Sequence, residues 1–227
     1  QVPCLPHLQT PIMKRFATFL LLALLIGCNR DPELSEFDAA TKKLKEGDVQ
    51  QRLAALQTLS KLTGDQAVPA LVQALNDPSD EVGAQDVQAL RKIGAKALPE
   101  LVKAMSAKDA TSTLKARGAE TMIGISPLSD DALGVLLKGI EDPDVYVRVQ
   151  SAIALGKSDT HAPKAVPVLA AALKDDSDVV RLLAINALGA MGPVAQPAIP
   201  ALQGVLNDSD PDIRDAASTA LKSIGGT

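Results

Sequence analysis

The sequence repeats itself about every 33 residues, and no other feature limits its fold as strongly. One apolar position recurs six times, at spacings of 31, 33, 32, 33 and 33 residues. Its members are Leu59, Leu90, Ile123, Leu155, Leu188 and Leu221. Five Ala-x-x-x-Leu segments follow at matching intervals, at residues 67–71, 97–101, 132–136, 165–169 and 198–202. Because a unit of this length cannot bury its own apolar face, the units must stack on one another.

Each unit has the pattern of a helical hairpin. In the fifth unit, apolar residues between Val180 and Met191 recur at the three- and four-residue intervals of a helix. Gly192 and the proline after it interrupt the pattern, and Pro200 lies near the start of a second helix, where its missing N–H costs nothing. No segment shows the sustained alternation of a strand. The sequence therefore predicts an all-α fold of about five and a half helical hairpins over residues 35–227.

A motif marks the first helix of the units, and it is complete at residues 178–189 as Asp-Val-Val-Arg-Leu-Leu-Ala-Ile-Asn-Ala-Leu-Gly. The motif resembles the HEAT-like repeat of the phycobilisome-lyase type, and the resemblance covers about residues 47–225. It implies a right-handed α-α superhelix, a solenoid. Gly83 replaces the arginine in the second unit, and the third unit has Ala116 there and Gly134 in place of the proline. We therefore expect the third unit to be the weakest joint.

An arginine recurs at one position of four units, with acidic residues nearby. The arginines are Arg52, Arg148, Arg181 and Arg214, and the acids include Asp144 and Asp178. The resemblance implies that these residues form a ladder of Arg–Asp bonds that ties each repeat to its neighbour. The alternative is an anion-binding stripe, which the net charge of −4 does not favour.

The N-terminal segment has the pattern of an export signal. Met13 is followed by two basic residues and by an apolar run of 11 residues, which is too short for a span that needs about 20. Residues 13–27 are therefore predicted to be a signal peptide, and residues 1–12 to be upstream read-through. The run ends in Leu-Ile-Gly-Cys at Cys28, which resembles the lipobox of bacterial lipoproteins. The alternative is an ordinary signal peptide with an incidental cysteine.

The lipobox resemblance implies a location as well as a modification. It implies that Cys28 is acylated after cleavage and anchors the protein in the membrane, with residues 28–34 as a short tether. Asn29, in place of an aspartate after the cysteine, implies the periplasmic side of the outer membrane where an outer membrane exists. The expected location is therefore the bacterial cell envelope.

Composition argues against several functional classes. Aromatic residues make up 2% of the chain and there is no Trp, which argues against a base-stacking platform; the net charge of −4 argues against nucleic acid as the partner. His161 is the one histidine after the predicted cleavage site, so we expect no metal site. The sequence has no phosphate-binding loop and no nucleophile motif. We therefore predict no catalytic residues and no cofactor.

The binding surface is predicted from the second helices, which in many solenoids line the concave face. The exposed positions of these helices that are expected to face a partner are Glu100, Lys103, Val135, Lys138, Val168 and Ala171. Tyr146, one of two aromatic residues after the signal segment, is the expected contact anchor because interfaces favour tyrosine.

These observations favour a non-enzymatic scaffold that binds a protein or peptide partner on its concave face and is held to the membrane by Cys28. One alternative is an enzyme or enzyme subunit like the phycobilin lyases, which handle a tetrapyrrole. Another is a passive structural spacer, in which only the length and rigidity of the solenoid matter.

Overall fold

In the computed structural model, which describes residues 32–62, 65–158 and 161–225, every regular element of these ranges is helical. The first helix, α1, spans Pro32–Glu46. The first helices of the five hairpins are α2 (Val49–Leu59), α4 (Asp80–Ile93), α6 (Ser112–Met122), α8 (Val145–Gly156) and α10 (Asp178–Met191). Their second helices are α3 (Val68–Ala74), α5 (Leu98–Met105), α7 (Asp130–Gly139), α9 (Ala162–Ala171) and α11 (Ile199–Gly204). The last described helix is α12 (Pro211–Ile224).

This order confirms the predicted all-helical solenoid of five hairpins and a final single helix. Short 3-10 turns at Asp65–Ala67, Gly94–Ala97 and Gly192–Ala198 lead into α3, α5 and α11. The predicted signal peptide, the read-through segment and Cys28 lie outside the described residues.

Helix α1 begins earlier than the sequence suggested. The sequence predicted that the helical domain starts at residue 35, but the helix begins at Pro32. Proline suits the first turn of a helix, because its φ angle is already helical and its missing N–H would be unbonded there. The tether predicted to end at residue 34 is therefore helical from residue 32. Ala40 and Leu44 are buried, so α1 covers the end of the stack.

Turn residues set where the first helices begin and end. Asp48 caps α2 reciprocally: its Oδ1 accepts the N–H of Gln51 at 2.8 Å, while its own N–H donates to the Gln51 side chain at 3.0 Å. Asp144 caps α8 by accepting the N–H of Tyr146 at 2.8 Å. At the other end of α10, Gly192 has a φ of +59°, which favours glycine.

The repeating apolar positions form one continuous core. Leu71, Leu101, Leu136, Leu169 and Leu202, which close the Ala-x-x-x-Leu segments, are all fully buried. At the six-fold position of the third unit, Met122 of α6 is buried, and Ile123, which the sequence placed there, lies after the end of the helix and is only half-buried. The core therefore runs through every hairpin, and the third unit departs from the pattern at this position.

The two rows of helices are not equally spaced. Consecutive first helices pack against one another more extensively than consecutive second helices do. A Cβ atom on Gly156 of α8 would lie 2.7 Å from the Cβ of Ala187 in α10, and one on Gly189 would lie 3.1 Å from the Cβ of Ala220 in α12. A curved stack is shorter on its inner side, so we infer that the first helices form the inner row and the second helices the outer row. This inference opposes the expectation that the second helices line the concave face, which stays a prediction.

One stretch of the solenoid, Asp178–Asn207, is long and apolar enough by composition to cross a membrane. It is not one straight helix here, because the backbone turns at Gly192. Val180, Leu188 and Leu202 of this stretch are buried in the solenoid core. The apolar character of this segment is accounted for by packing between repeats.

Candidate functional site

The structure contains the arginine ladder. The aspartates that bond these arginines across the hairpin are not the ones nearest to them in sequence. Arg148 of α8 reaches Asp175, in the turn that follows the second helix of the same hairpin, with 2.8 Å between Nε and Oδ2. The Arg148 and Asp175 side chains are only 13% and 11% exposed. Burial would raise the pKa of Asp175, but hydrogen bonds from Arg148 and from the N–H of Ser177 bring that pKa below its ordinary value.

The neighbouring hairpins repeat this arrangement. Arg181 bonds the carboxylate of Asp208 at 3.1 Å and the carbonyl oxygen of Asp175 at 2.9 Å. Arg52 bonds Asp77 at 2.6 Å, and Arg214 donates to the carbonyl oxygen of Asp208 at 2.7 Å. At Asp175 and Asp208, an arginine of the hairpin before the turn bonds the carboxylate, and an arginine of the helix after the turn bonds the carbonyl oxygen. The ladder therefore ties successive repeats together.

The two acids singled out from the sequence have local roles. The Asp144 carboxylate caps α8, as described above, and the guanidinium of Arg148 pairs with Asp175 and Asp176 instead. Asp178 pairs with Arg181 within the first turn of α10, at 2.5 Å. Acids at the start of a helix are placed to cap it, whereas the bridging acids lie in the turn one hairpin further along.

Two basic residues compensate where the repeat motif lacks its arginine. The guanidinium of Arg117 in α6 occupies the space above Gly83, where an added Cβ would lie 2.2 Å from Cζ. It donates to the carbonyl oxygen of Asp77 at 2.7 Å and to the carboxylate of Asp80 at 2.9 Å. Lys115 stands four residues after the cap Thr111, as Arg148 does after Asp144, and bonds the turn residue Asp142 at 2.9 Å. The arginine position of the third unit is therefore Lys115, and the alignment that placed Ala116 there was wrong by one residue. The departures in the second and third units therefore still leave these turns bonded; that the third unit is the weakest joint stays a prediction.

Asp86 of α4 is a buried acid that the sequence analysis missed. Its side chain is fully buried, and neither carboxylate oxygen has a hydrogen-bond partner among the described residues. Burial raises the pKa of Asp86 well above its ordinary value; Arg117 opposes that shift and Asp77 adds to it. The sequence contained a signal for this residue: the corresponding residues of other units are small, among them Ala55 and Ala184, so an aspartate there is unexpected.

The six residues predicted on the second helices do lie together, on the outer row. Glu100 and Lys103 pair with each other at 3.0 Å on α5. Val135 and Lys138 of α7 line a cavity of about 230 Å³ beside Met105. The remaining two, Val168 and Ala171 of α9, line a neighbouring cavity of about 470 Å³.

Tyr146 lies on the opposite row, at the exposed face of the first helices. The residue is 71% exposed. It borders a groove of about 390 Å³ between α6 and α8, which we call the Tyr146 groove. The residues that line it are Asp80, Ser112, Thr113, Ala116, Arg117, Glu120, Asp144, Tyr146 and Gln150. The structure therefore separates Tyr146 from the six other predicted contact residues.

Within the part of the chain that the structure describes, no group of three or more His, Cys, Asp or Glu side chains is arranged to hold a metal ion. His161 lies at the start of α9, with its Nδ1 at 3.3 Å from the Ser158 hydroxyl and its Nε2 at 3.7 Å from Asp130. The contact with Asp130 joins the loop before α9 to the third hairpin.

Comparison with known proteins places these features in context. The family described as HEAT repeats matches residues 37–123, 108–189 and 133–222. No curated protein matches the chain.

Solved structures with the same architecture include natural and designed repeat proteins. The complex of CpcE and CpcF of phycocyanin lyase from Nostoc sp. PCC7120 is 24% identical, with a TM-score of 0.60 over 68% of this chain and 97% of that chain. A designed armadillo repeat protein in complex with the peptide (KR)4 is 21% identical, with a TM-score of 0.52 over 83% of this chain and 99% of that one. Designed armadillo proteins for modular peptide recognition give 22% identity and a TM-score of 0.52, over 81% and 98% of the two chains. At these identities the likeness shows the fold.

Proposed function

Because the chain belongs to the HEAT repeat family, we propose that it is a non-enzymatic scaffold that binds a protein or peptide partner on the inner face of its solenoid. The observation that carries the proposal is the groove of about 390 Å³ on the first-helix row, bordered by the exposed ring of Tyr146. Tyrosine is favoured at binding interfaces because its ring offers apolar area and its hydroxyl a hydrogen bond. Peptide recognition by designed proteins of the same fold supports the proposal.

The outer row offers the rival location for a partner. The Lys138 side chain forms no ion pair or hydrogen bond among the described residues, and it borders a cavity against Val135. Lys103 is paired with Glu100, which leaves that part of the row close to neutral. We favour the inner row, because an exposed aromatic side chain beside a groove is a stronger anchor than a single lysine.

Site-specific photo-crosslinking in cells tests the proposal and separates the two rows. A crosslinking residue replaces Tyr146 or Thr113 on the inner row, Lys103 or Lys138 on the outer row, and Lys222 on α12 as the control. We expect one discrete adduct from the two inner positions and none from the control. Adducts from the outer positions alone would move the site to that row, and no adduct from either row would contradict the proposal.

The second part of the proposal is a lipid anchor at Cys28. It is supported by the basic residues and apolar run that precede the cysteine. Two or more acyl chains hold a protein firmly at a membrane, at about 0.8 kcal/mol for each buried methylene. On this proposal the solenoid lies at the periplasmic face of the outer membrane in a cell that has one, close to the lipid surface.

Replacing Cys28 by Ala tests the anchor. We expect the wild-type protein in the membrane fraction and Cys28→Ala in the soluble fraction, because no acyl chain can be attached to alanine. The substitution Cys4→Ala is the matched control, since Cys4 precedes the predicted start at Met13 and should not affect fractionation. Membrane association of Cys28→Ala equal to that of wild type would contradict the anchor.

A phycobilin-lyase-like role is the second candidate. The architecture shared with the CpcE and CpcF complex over 97% of that chain favours it. Absorption spectra of the protein mixed with a bilin distinguish the two roles: a stable red-shifted complex would favour the lyase-like role, and an unchanged bilin spectrum would favour the scaffold. A passive spacer differs from both, because substitutions of Tyr146, Lys103 and Lys138 would then have no phenotype.

A further inference from the structure

We infer that the Tyr146 groove receives a lysine or arginine side chain of the partner, an inference that rests on the proposed function. The groove runs between two neighbouring first helices. Thr113, Ala116 and Glu120 lie at helical spacing on α6, and Tyr146 and Gln150 lie on α8. A long side chain lying between them would contact the Tyr146 ring on one side and α6 on the other.

The basic side chains of α6 next to the groove are bonded to turns elsewhere. Lys115 stands four residues after the cap Thr111 and bonds Asp142 at 2.9 Å. Arg117 donates to the carbonyl oxygens of Leu75 and Asp77, in the turn before α4. Ala116, which lies between them and lines the groove, is small and carries no charge.

The charges around the groove favour a cation. Three carboxylates, those of Asp80, Glu120 and Asp144, line it against one guanidinium, that of Arg117. Arg117 is already engaged by Asp80 at 2.9 Å and by the carbonyl groups behind it. The cation next to Glu120 is Arg91, at 4.0 Å, which is the limit of an ion pair. Glu120 and Asp144 thus leave the groove with net negative charge, which attracts a cation and repels an acidic side chain.

The aromatic ring of Tyr146 favours a lysine or arginine side chain over other cations. The exposed face of Tyr146 attracts lysine and arginine side chains through its π electrons, and arginine also stacks on such rings. The aliphatic stem of either residue suits Ala116 and the methyl group of Thr113 at the base of the groove. A metal ion would lack these contacts. A lysine or arginine side chain of a polypeptide partner can pair with the negative charge, stack on the Tyr146 ring and pack its aliphatic stem against Ala116 and Thr113.

Fluorescence anisotropy with two labelled peptides tests the inference on the full chain in detergent. The probes are an eight-residue peptide of alternating Arg and Ser and the matched peptide of alternating Glu and Ser. We expect binding of the arginine peptide alone. Tyr146→Ala and Glu120→Gln should each weaken it at least five-fold, whereas Tyr146→Phe, which keeps the ring, should stay within two-fold of wild type.

The control for general charge attraction is Glu100→Gln, which removes the same charge on the outer row. This variant should bind the arginine peptide within two-fold of wild type. Equal loss in Glu100→Gln and Glu120→Gln, or no loss in Tyr146→Ala, would overturn the inference. A partner crosslinked in cells at Tyr146 but insensitive to Glu120→Gln would overturn the inference and leave the proposed function standing, whereas no crosslink from either row would contradict the proposed function itself.

Discussion

Asp86 shows how one residue can work against the stability of its own repeat. It takes the place of a small residue between α4 and its neighbours, where no donor of the described part of the chain bonds its carboxylate. Burial raises the pKa of Asp86, so the folded chain holds this proton more tightly than the unfolded chain does. Its contribution to the free energy of unfolding is therefore most favourable below the unfolded pKa of about 3.9, and falls as the pH rises toward the raised pKa.

The first prediction at this scale is that Asp86→Ala stabilises the protein at neutral pH. Alanine matches the corresponding residues Ala55 and Ala184, and it removes an unpaired buried carboxylate, so we expect a gain of about 1–3 kcal/mol. The gain should shrink as the pH approaches 4. Urea unfolding at several pH values measures it.

Ser151 provides the matched control for this prediction. It occupies the corresponding position of α8, and its buried hydroxyl also has no hydrogen-bond partner. Because a hydroxyl does not titrate in this range, Ser151→Ala should give a smaller gain that does not depend on pH. A loss of stability in Asp86→Ala at pH 7 would show that the carboxylate has a favourable partner.

Between elements, the ladder predicts unequal roles for arginines at the same repeat position. Arg148 bonds the half-buried carboxylate of Asp175, whereas the Arg214 side chain bonds only carbonyl oxygens of the preceding turn within the described residues. Removing one partner of a fully buried pair costs about 3–5 kcal/mol, so Arg148→Ala at this half-buried pair should cost up to that amount and Arg214→Ala much less. Chemical denaturation of the two variants measures this difference.

The pH dependence of this pair follows from Asp175. The pKa of Asp175 lies below its ordinary value, so the pair contributes fully above the ordinary value and is lost as the pH falls through the lowered one. The excess stability of wild type over Arg148→Ala should therefore disappear in acid. An excess that is constant from pH 7 to pH 2 would contradict the assigned bond.

Helix spacing gives the third prediction. Gly156 of α8 has no room for a Cβ beside Ala187, whereas Gly134 of α7 has nothing within 4 Å of one. Gly156→Ala should therefore destabilise by pushing α8 and α10 apart. Gly134→Ala should stabilise by about 0.5–1 kcal/mol, because alanine is the better helix former. Thermal unfolding measures both, and a stabilised Gly156→Ala would contradict the close inner row.

At the scale of the whole molecule, the sequence period predicted the number of hairpins and the buried leucines, because stacking requires the same apolar face in every unit. It placed the second helices on the concave face, whereas the inference that the first helices lie inside rests on how closely pairs such as Gly156 and Ala187 approach, which the period does not contain. It also did not distinguish Asp175 from Asp144 as the partner of Arg148, because both acids recur at a fixed distance from the arginine. Nor did it show that Lys115 takes the arginine position of the third unit, because that depends on the residue at which α6 begins.

The central claim is that the hairpins form one continuous stack with the first helices, and hence the Tyr146 groove, on its inner side. Pulsed electron–electron resonance with nitroxide side chains tests it most directly. One pair replaces Gln88 and Asn186 on the first helices, and the other replaces Lys103 and Gly204 on the second helices; both pairs span the second to the fifth hairpin and use exposed positions. We predict a single distance for each pair, with the Gln88–Asn186 distance the shorter one. A longer Gln88–Asn186 distance would place the groove on the outside of the curve, and a broad distribution for either pair would contradict the continuous stack.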